Sequence, residues 1–132
     1  MEQRPYGLRV ILEVGVEEAE TRTRAALAVE GFGVLTEIDV QATLKEKIGV
    51  DRPAYKILGA CNPVLANRAL GAEEEIGLLL PCNVVVYESE SGTIVEALDP
   101  GIMNSVTDAP EMEIIAAEAR EKLARAMEML EA

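Results

Sequence analysis

The fold of this chain is decided by residues 83–98, whose sequence is NVVVYESESGTIVEAL. Branched apolar side chains recur on both sides of the polar segment Ser89-Glu90-Ser91-Gly92, and such residues favour β-strands. The polar segment itself is typical of the tight turn between two antiparallel strands. Residues 83–88 and 93–98 are therefore predicted to form a β-hairpin.

Four other segments have the composition of strands, and they are residues 8–13, 32–38, 55–61 and 76–80. In the second segment, Val34, Thr36 and Ile38 alternate along the chain and are expected to share one face. The fourth segment contains no polar side chain, so it is predicted to be a strand that is buried on both faces.

The remaining segments show the helical spacing of apolar residues. This spacing predicts a helix over residues 17–30 and two short helices that begin after Asp39 and Asn62. Both residues are favoured N-caps, and Pro63 suits the first helical position. Gly49 stands where a left-handed residue commonly ends a helix.

A long helix is predicted near the C-terminal end of the chain, running to about residue 130. Asp108 and Glu111 have the spacing of a capping box, so Asp108 is expected to cap this helix. One apolar stripe of the helix should face the core. The stripe consists of Met112, Ile115, Ala116, Ala119, Leu123, Ala126, Met127 and Leu130.

Strands joined by hairpins, with helices between and after them, indicate an α+β fold. We expect one antiparallel sheet with helices packed on one face, in a single domain that spans residues 1–132. A single layer of helices leaves the other face of the sheet open. Apolar surface on that face would favour a homodimer.

Composition and charge exclude several classes of function. The chain has 24 acidic and 12 basic residues and a formal net charge of −12, which repels phosphate backbones, so no nucleic-acid partner is expected. No apolar run is long enough to predict a contact with the membrane interior. No signal peptide is recognisable, so the expected location is the cytoplasm, where the two cysteines stay reduced. No cofactor is predicted, because no glycine-rich fingerprint follows a strand.

The pattern with chemical content is a pair of similar segments around Cys61 and Cys82. Residues 58–63 and 79–84 each place a cysteine after an apolar run and an asparagine after the cysteine. Sheet topology can bring two such segments side by side, so both thiols are expected at one site.

In this hypothesis Cys61 supplies the more reactive thiol and Cys82 is its partner. Cys61 precedes a predicted helix N-terminus, whose partial positive charge favours a thiolate and lowers the pKa of a thiol. Lys56 and Arg68 belong to the same part of the chain and would add to that effect.

Four further residues complete the candidate ligand site. Asn62 and Asn83 would orient a small bound group through their side-chain amides. Tyr55 belongs to the same predicted strand face as Cys61 and offers a hydroxyl group. Gly59 leaves room for a ligand to approach the backbone. The predicted function is binding of a small ligand or thiol chemistry, and the residues do not decide whether the protein is an enzyme.

Two other functions stay open. Buried cysteine often behaves as a small hydrophobic residue, so both cysteines also suit a non-catalytic, homodimeric interaction module. The third function is binding of a soft metal ion such as Cu(I) by two thiolates, with Met103 as a further ligand. A closed zinc site needs four ligands, and the chain has neither histidine nor a third cysteine.

Several motifs together resemble the DUF302 family, a family of unknown function. They are the segments 55–63 (YKILGACNP) and 76–87 (IGLLLPCNVVVY), with Asp99-Pro100 and Gly31-Phe32. The resemblance implies an α+β fold similar to the β-α-β(4)-α arrangement of the TATA-binding-protein-like class, with short helical insertions. It implies no reaction. It marks Cys61, Asn62, Pro63, Pro81, Cys82 and Asn83 as motif positions.

Overall fold

A computed structural model describes all residues from Met1 to Ala132. Its six strands form one antiparallel sheet in the order β1-β2-β6-β5-β4-β3. The strands are β1 (Glu2–Gln3), β2 (Gly7–Leu12), β3 (Gly33–Asp39), β4 (Tyr55–Cys61), β5 (Cys82–Ser89) and β6 (Gly92–Leu98). The predicted hairpin is confirmed as β5 and β6, which occupy the centre of the sheet, and the α+β class is confirmed with it.

The chain also forms four α-helices and two 3₁₀ helices. The α-helices are α1 (Val16–Val29), α2 (Val40–Ile48), α3 (Pro63–Ala72) and α4 (Pro110–Glu131). The first 3₁₀ helix is Glu74–Leu79, and the second is Pro100–Ser105. Helices α1 and α4 contact each other and pack on the same face of the sheet, where alternate strand residues such as Leu8, Val84 and Val95 are fully buried.

The predicted helix caps of α2 and α3 are confirmed. Asp39 accepts a hydrogen bond from the backbone N–H of Ala42 at 2.9 Å, and Asn62 accepts one from Leu65 at 3.2 Å. Helix α2 ends at Gly49, whose φ of 68° is left-handed and therefore favours glycine. These local interactions determine where the chain leaves each strand.

Helix α4 presents to the core the stripe that its sequence predicts. All eight predicted stripe residues are buried. The prediction that Asp108 caps this helix is wrong, because the N-cap position is taken by Ala109, whose side chain makes no capping bond. Pro110 occupies the first turn and brings no N–H that needs a partner, so the helix begins without a side-chain cap.

The prediction of a strand at residues 76–80 is also wrong. This run forms most of the first 3₁₀ helix, in which Ile76 is buried and Leu78 is 86% exposed. Strands β4 and β5 pair directly with each other, through partners such as Ala60 and Cys82, so no position between them remains for another strand. The sixth strand of the sheet is instead β1, at the far edge.

A β-bulge in β3 changes the predicted alternation of its side chains. Val34 is paired with Ala60 and Thr36 with Gly59, so Leu35 is the extra residue and is 69% exposed. Val34 therefore packs against the core, whereas Thr36 and Ile38 lie on the opposite face. The expectation that these three side chains share one face is wrong for Val34.

Candidate functional site

A cavity of about 40 Å³ lies where the main core beneath the sheet meets a second hydrophobic cluster. Of its 15 lining residues 12 are hydrophobic, and none is charged. The lining consists of Phe32, Ala60, Cys61, Asn62, Leu65, Ala66, Ala69, Leu80, Pro81, Cys82, Pro100, Met103, Ile115, Ala116 and Ala119. The second cluster joins α3, both 3₁₀ helices, the start of β5 and the N-terminal half of α4.

The two cysteines reach this cavity from neighbouring strand ends. Cys82 begins β5 and is paired with Ala60, while Cys61 is the last residue of β4 and precedes the N-cap of α3. Cys82 is buried, with 8% of its surface exposed, whereas Cys61 is half-buried. The cavity therefore has a buried thiol in its wall and a more accessible thiol at its rim.

Burial controls the ionisation of Cys82. It raises the pKa of the Cys82 thiol from its ordinary value of 9.0 to about 11, and the neighbouring Cys61 adds a smaller contribution. The thiolate is disfavoured because a negative charge loses its hydration in an apolar wall. Cys82 is thus a neutral, protonated thiol at physiological pH.

The side chain of Asn62 is committed to the local structure. Its oxygen caps α3, and its Nδ2 donates to the backbone carbonyl of Glu30 at 3.3 Å. Gly31 makes this contact possible, since a Cβ at that position would lie 3.0 Å from Nδ2, and its φ of 85° also favours glycine. Asn62 therefore lines the cavity while it joins the end of α1 to the start of α3.

Tyr55, Gly59 and Asn83 do not line the cavity. Tyr55 stacks on Tyr87 with 5.0 Å between ring centroids. It precedes Cys61 by six residues of β4, so the two residues are about 20 Å apart along the strand. Asn83 is exposed and paired with Gly59 on the face that α1 and α4 leave open. The structure thus brings together Cys61, Asn62 and Cys82 from the six predicted site residues.

Gly59 is needed for packing within the sheet. A Cβ at this position would lie 2.1 Å from the Thr36 hydroxyl and 2.8 Å from the ring of Pro81. The space beside Gly59 is therefore filled by protein atoms.

The family assignment follows from comparison with known proteins. The model for "Domain of unknown function DUF302" matches residues 8–130. This chain belongs to the DUF302 family. It is also similar to a solved structure, the uncharacterized conserved protein DUF302 from Bacillus stearothermophilus, with a TM-score of 0.88 and 30% identity. The match covers 96% of this chain and 98% of the other, and a search of the curated proteins found no match.

The basic residues expected near the thiols of this DUF302 domain have other partners. Lys56 binds Glu20 at 3.1 Å and Glu37 at 2.7 Å, and Arg68 forms an ion pair with Glu118. The hydrogen bond from Lys56 holds the pKa of Glu37 below its ordinary value. These cations are therefore engaged by carboxylates.

Much of the cavity wall comes from residues that the sequence marks only as core or leaves unassigned. Ile115 and Ala119 belong to the predicted stripe of α4, and Leu65 comes from α3. Met103, which the sequence offers as a ligand of a soft metal, enters from the second 3₁₀ helix. The stripe indicates burial, but no sequence signal distinguishes residues that line a cavity from those that fill the core.

No group of three or more histidine, cysteine, aspartate or glutamate side chains is placed to hold a metal ion. None of the four α-helices has the length and apolar character needed to cross a membrane.

Proposed function

We propose that this DUF302 domain binds the apolar part of a small, uncharged ligand in the cavity beside Cys61 and Cys82. The observation that carries the proposal is the lining, in which 12 of 15 residues are hydrophobic and none is charged. Ligand sites are commonly apolar concavities with a few polar groups, and here Asn62 and the two thiols are such groups.

The chemistry of the lining favours a neutral occupant. A charge moved into this cavity would lose its hydration without gaining an ion-pair partner, which costs several kcal/mol. The net charge of −12 opposes an anion further. The three sulfur-containing residues Cys61, Cys82 and Met103 line the cavity, so a polarisable group suits it well.

The cavity size limits what it can hold. A volume of about 40 Å³ exceeds the roughly 10–15 Å³ that one water molecule needs on this measure, but it is small for a complete metabolite. Five lining residues are half-buried and give access to it, namely Cys61, Asn62, Ala66, Leu80 and Pro81. We therefore propose that an apolar end of the ligand enters the cavity and that the remainder lies beside these residues.

Thiol chemistry in this proposal is restricted to Cys61. A pKa of about 11 keeps Cys82 protonated, and a protonated thiol is a poor nucleophile and a poor metal ligand. Binding of Cu(I) by Cys61, Cys82 and Met103 would first have to remove that proton, so we rank it below binding of a neutral ligand. A cytoplasmic location, which we also propose, would keep both cysteines reduced.

Xenon is a suitable first probe, because it is neutral, polarisable and small. We expect dissolved xenon to shift the methyl NMR signals of Ala69, Met103 and Ile115 in a saturable manner. Methyl groups outside the cavity, such as those of Val64, should shift little and linearly. The absence of a saturable shift at the cavity methyl groups would overturn the proposal.

A pair of valine substitutions on α4 provides the matched control. Ala119 lines the cavity, whereas Ala117 is exposed on the same helix. Ala119→Val should abolish the saturable shift, and Ala117→Val should leave it unchanged. Equal xenon binding by both variants would place the binding site elsewhere.

Matched alcohols and carboxylates test the expected neutrality of the ligand. Butanol should compete with xenon for the cavity, and butyrate, which has the same number of carbon atoms, should not. Equal competition by both compounds would contradict the assignment of a neutral ligand class.

A further inference from the structure

The face of the sheet opposite α1 and α4 is covered only in part by the rest of the chain, with Pro81 beside Gly59 and Arg52 over the Tyr55 ring. We call it the open face, and it consists of the side chains of β2 to β6 that point away from α1 and α4. Helices α1 and α4 pack on β2, β5 and β6 and bury every second residue of these strands. The residues between the buried ones belong to the open face. Ile11 and Ile38 on this face are 46% and 48% exposed.

The centre of the open face is apolar and aromatic. Ile57 is paired with Val85 across β4 and β5, and the neighbouring pair is the stacked Tyr55 and Tyr87. Ile11 is paired with Ile94 on the other side of the hairpin. Ile94 itself is only 8% exposed, so the apolar surface comes from Ile11, Ile38 and the half-buried residues Tyr55, Ile57, Val85 and Tyr87. Apolar surface on a sheet face is typical of a protein interaction site.

The charge on the open face differs sharply from that of the chain. Across the five long strands the only acidic side chain on this face is Glu96, which binds Arg9 at 2.8 Å. Arg52 adds a cation over the Tyr55 ring, 5.0 Å from its centroid. The face is therefore close to neutral, although the chain carries a net charge of −12.

Helix α2 extends the apolar surface beyond the sheet. None of its residues is buried, and Ile48 and Val50 at its end are 67% and 43% exposed. Gln41 of this helix donates to the carbonyl of Arg52 at 3.0 Å, so α2 is attached beside the Tyr55 end of the open face. Exposed apolar residues at the end of α2 thus lie next to the open face.

We infer that the open face binds the open face of a second copy of this chain. Two copies with a net charge of −12 repel each other, and this face allows close contact without bringing carboxylates together. A two-fold axis brings the same patch of both copies into contact. This patch contains an apolar centre and, in the Arg9–Glu96 ion pair, both signs of charge.

The dimensions of the face correspond to a dimer interface at the small end of the usual range. Five strands about 4.8 Å apart and about six residues long span roughly 24 by 20 Å. Side-chain relief increases the accessible area of such a surface above its flat area of about 500 Å², toward the 800 Å² per partner that is typical of stable interfaces. Two sheets would then stack face to face, with one layer of helices on each outer side.

Substitutions by glutamate test the assignment. Light scattering after size exclusion should show a dimer at micromolar concentration for the natural chain. Ile11→Glu and Ile38→Glu each add a carboxylate to the open face and should raise the dimer dissociation constant at least tenfold, because like charges would then face each other. Ile114→Glu is the matched control, because Ile114 is 65% exposed on α4, away from this face.

Each result decides the question. A dimer that weakens in both sheet variants and persists in Ile114→Glu supports the inference. A natural chain that is monomeric at all concentrations overturns it, and so does a dimer that both sheet variants leave unchanged. Circular dichroism establishes that each variant is folded, and Ile38 on the edge strand provides a test even where Ile11→Glu does not fold.

Discussion

Cys61 and Cys82 line the same cavity from neighbouring strands, but Cys61 is only half-buried, whereas Cys82 is buried. This difference in access should appear in their reactivity. With iodoacetamide at pH 8, we expect Cys61 to be alkylated at least tenfold faster than Cys82, because Cys82 is both shielded and protonated. Peptide mass spectrometry over time measures both rates. Similar rates would show that the wall around Cys82 opens readily.

The raised pKa of Cys82 also predicts a loss of stability at alkaline pH. The folded thiol keeps its proton up to about pH 11, whereas the unfolded thiol releases it near 9.0. The unfolded state is therefore favoured as the pH rises through this interval, by up to about 3 kcal/mol in total. The stability advantage of the natural chain over Cys82→Ala should shrink between pH 8 and pH 11.

Urea unfolding at several pH values measures this advantage. Cys61→Ala, which keeps the buried Cys82, is the control and should lose stability over the same interval. A constant difference for Cys82→Ala would contradict the burial of a neutral thiol.

Asn62 should stabilise the fold through both ends of its amide. Asn62→Ala removes the cap of α3 and the hydrogen bond to Glu30, which should cost about 1–2 kcal/mol of unfolding free energy. Asn62→Asp keeps the capping oxygen and loses only the donor, so its stability should lie between those of the natural chain and Asn62→Ala. Chemical denaturation gives the free energy of unfolding of all three proteins. Equal losses in both variants would show that the capping oxygen does not stabilise the fold.

Asp99 should contribute stability that depends on pH. Its carboxylate accepts hydrogen bonds from Gly101 N at 2.9 Å, Gln3 Nε2 at 3.0 Å and Arg120 Nε at 3.3 Å. Burial opposes ionisation, but these donors together hold the pKa of Asp99 below its ordinary value of 3.8. Asp99→Asn should therefore be less stable by about 1 kcal/mol at pH 7.

This contribution is present above pH 3.8 and is lost as the pH falls through the lower pKa of the folded state. Thermal unfolding from pH 7 to pH 2 should show the stabilities of Asp99→Asn and the natural chain converging in acid. A difference that persists at pH 2 would show that the carboxylate charge is not its source.

The sequence predicts the elements that short-range patterns determine. Helix α4 is the clearest example, because its buried stripe depends only on the helical repeat of its own residues. The caps at Asp39 and Asn62 are equally local, since each side chain binds a backbone group three residues ahead. The central hairpin follows from two apolar segments and one short turn.

The errors occur where the structure depends on distant partners. An apolar run such as residues 76–80 suits a strand or a buried helix equally well, and it becomes a 3₁₀ helix because β4 and β5 pair without it. The bulge at Leu35 depends on the register of β3 against β4, which no pattern within β3 reports. Which of the six predicted site residues meet depends on how the adjoining ends of β4 and β5 pack against α3 and α4.

The sequence by itself determined the fold class, the central hairpin, the caps of α2 and α3, and the apolar faces of the helices, because each is set by residues close together in the chain. Tertiary structure alone decided that Cys61, Asn62 and Cys82 share a cavity while Tyr55, Gly59 and Asn83 lie outside it. It also decided that Cys82 holds its proton, since the apolar wall that removes water comes from segments far apart in sequence.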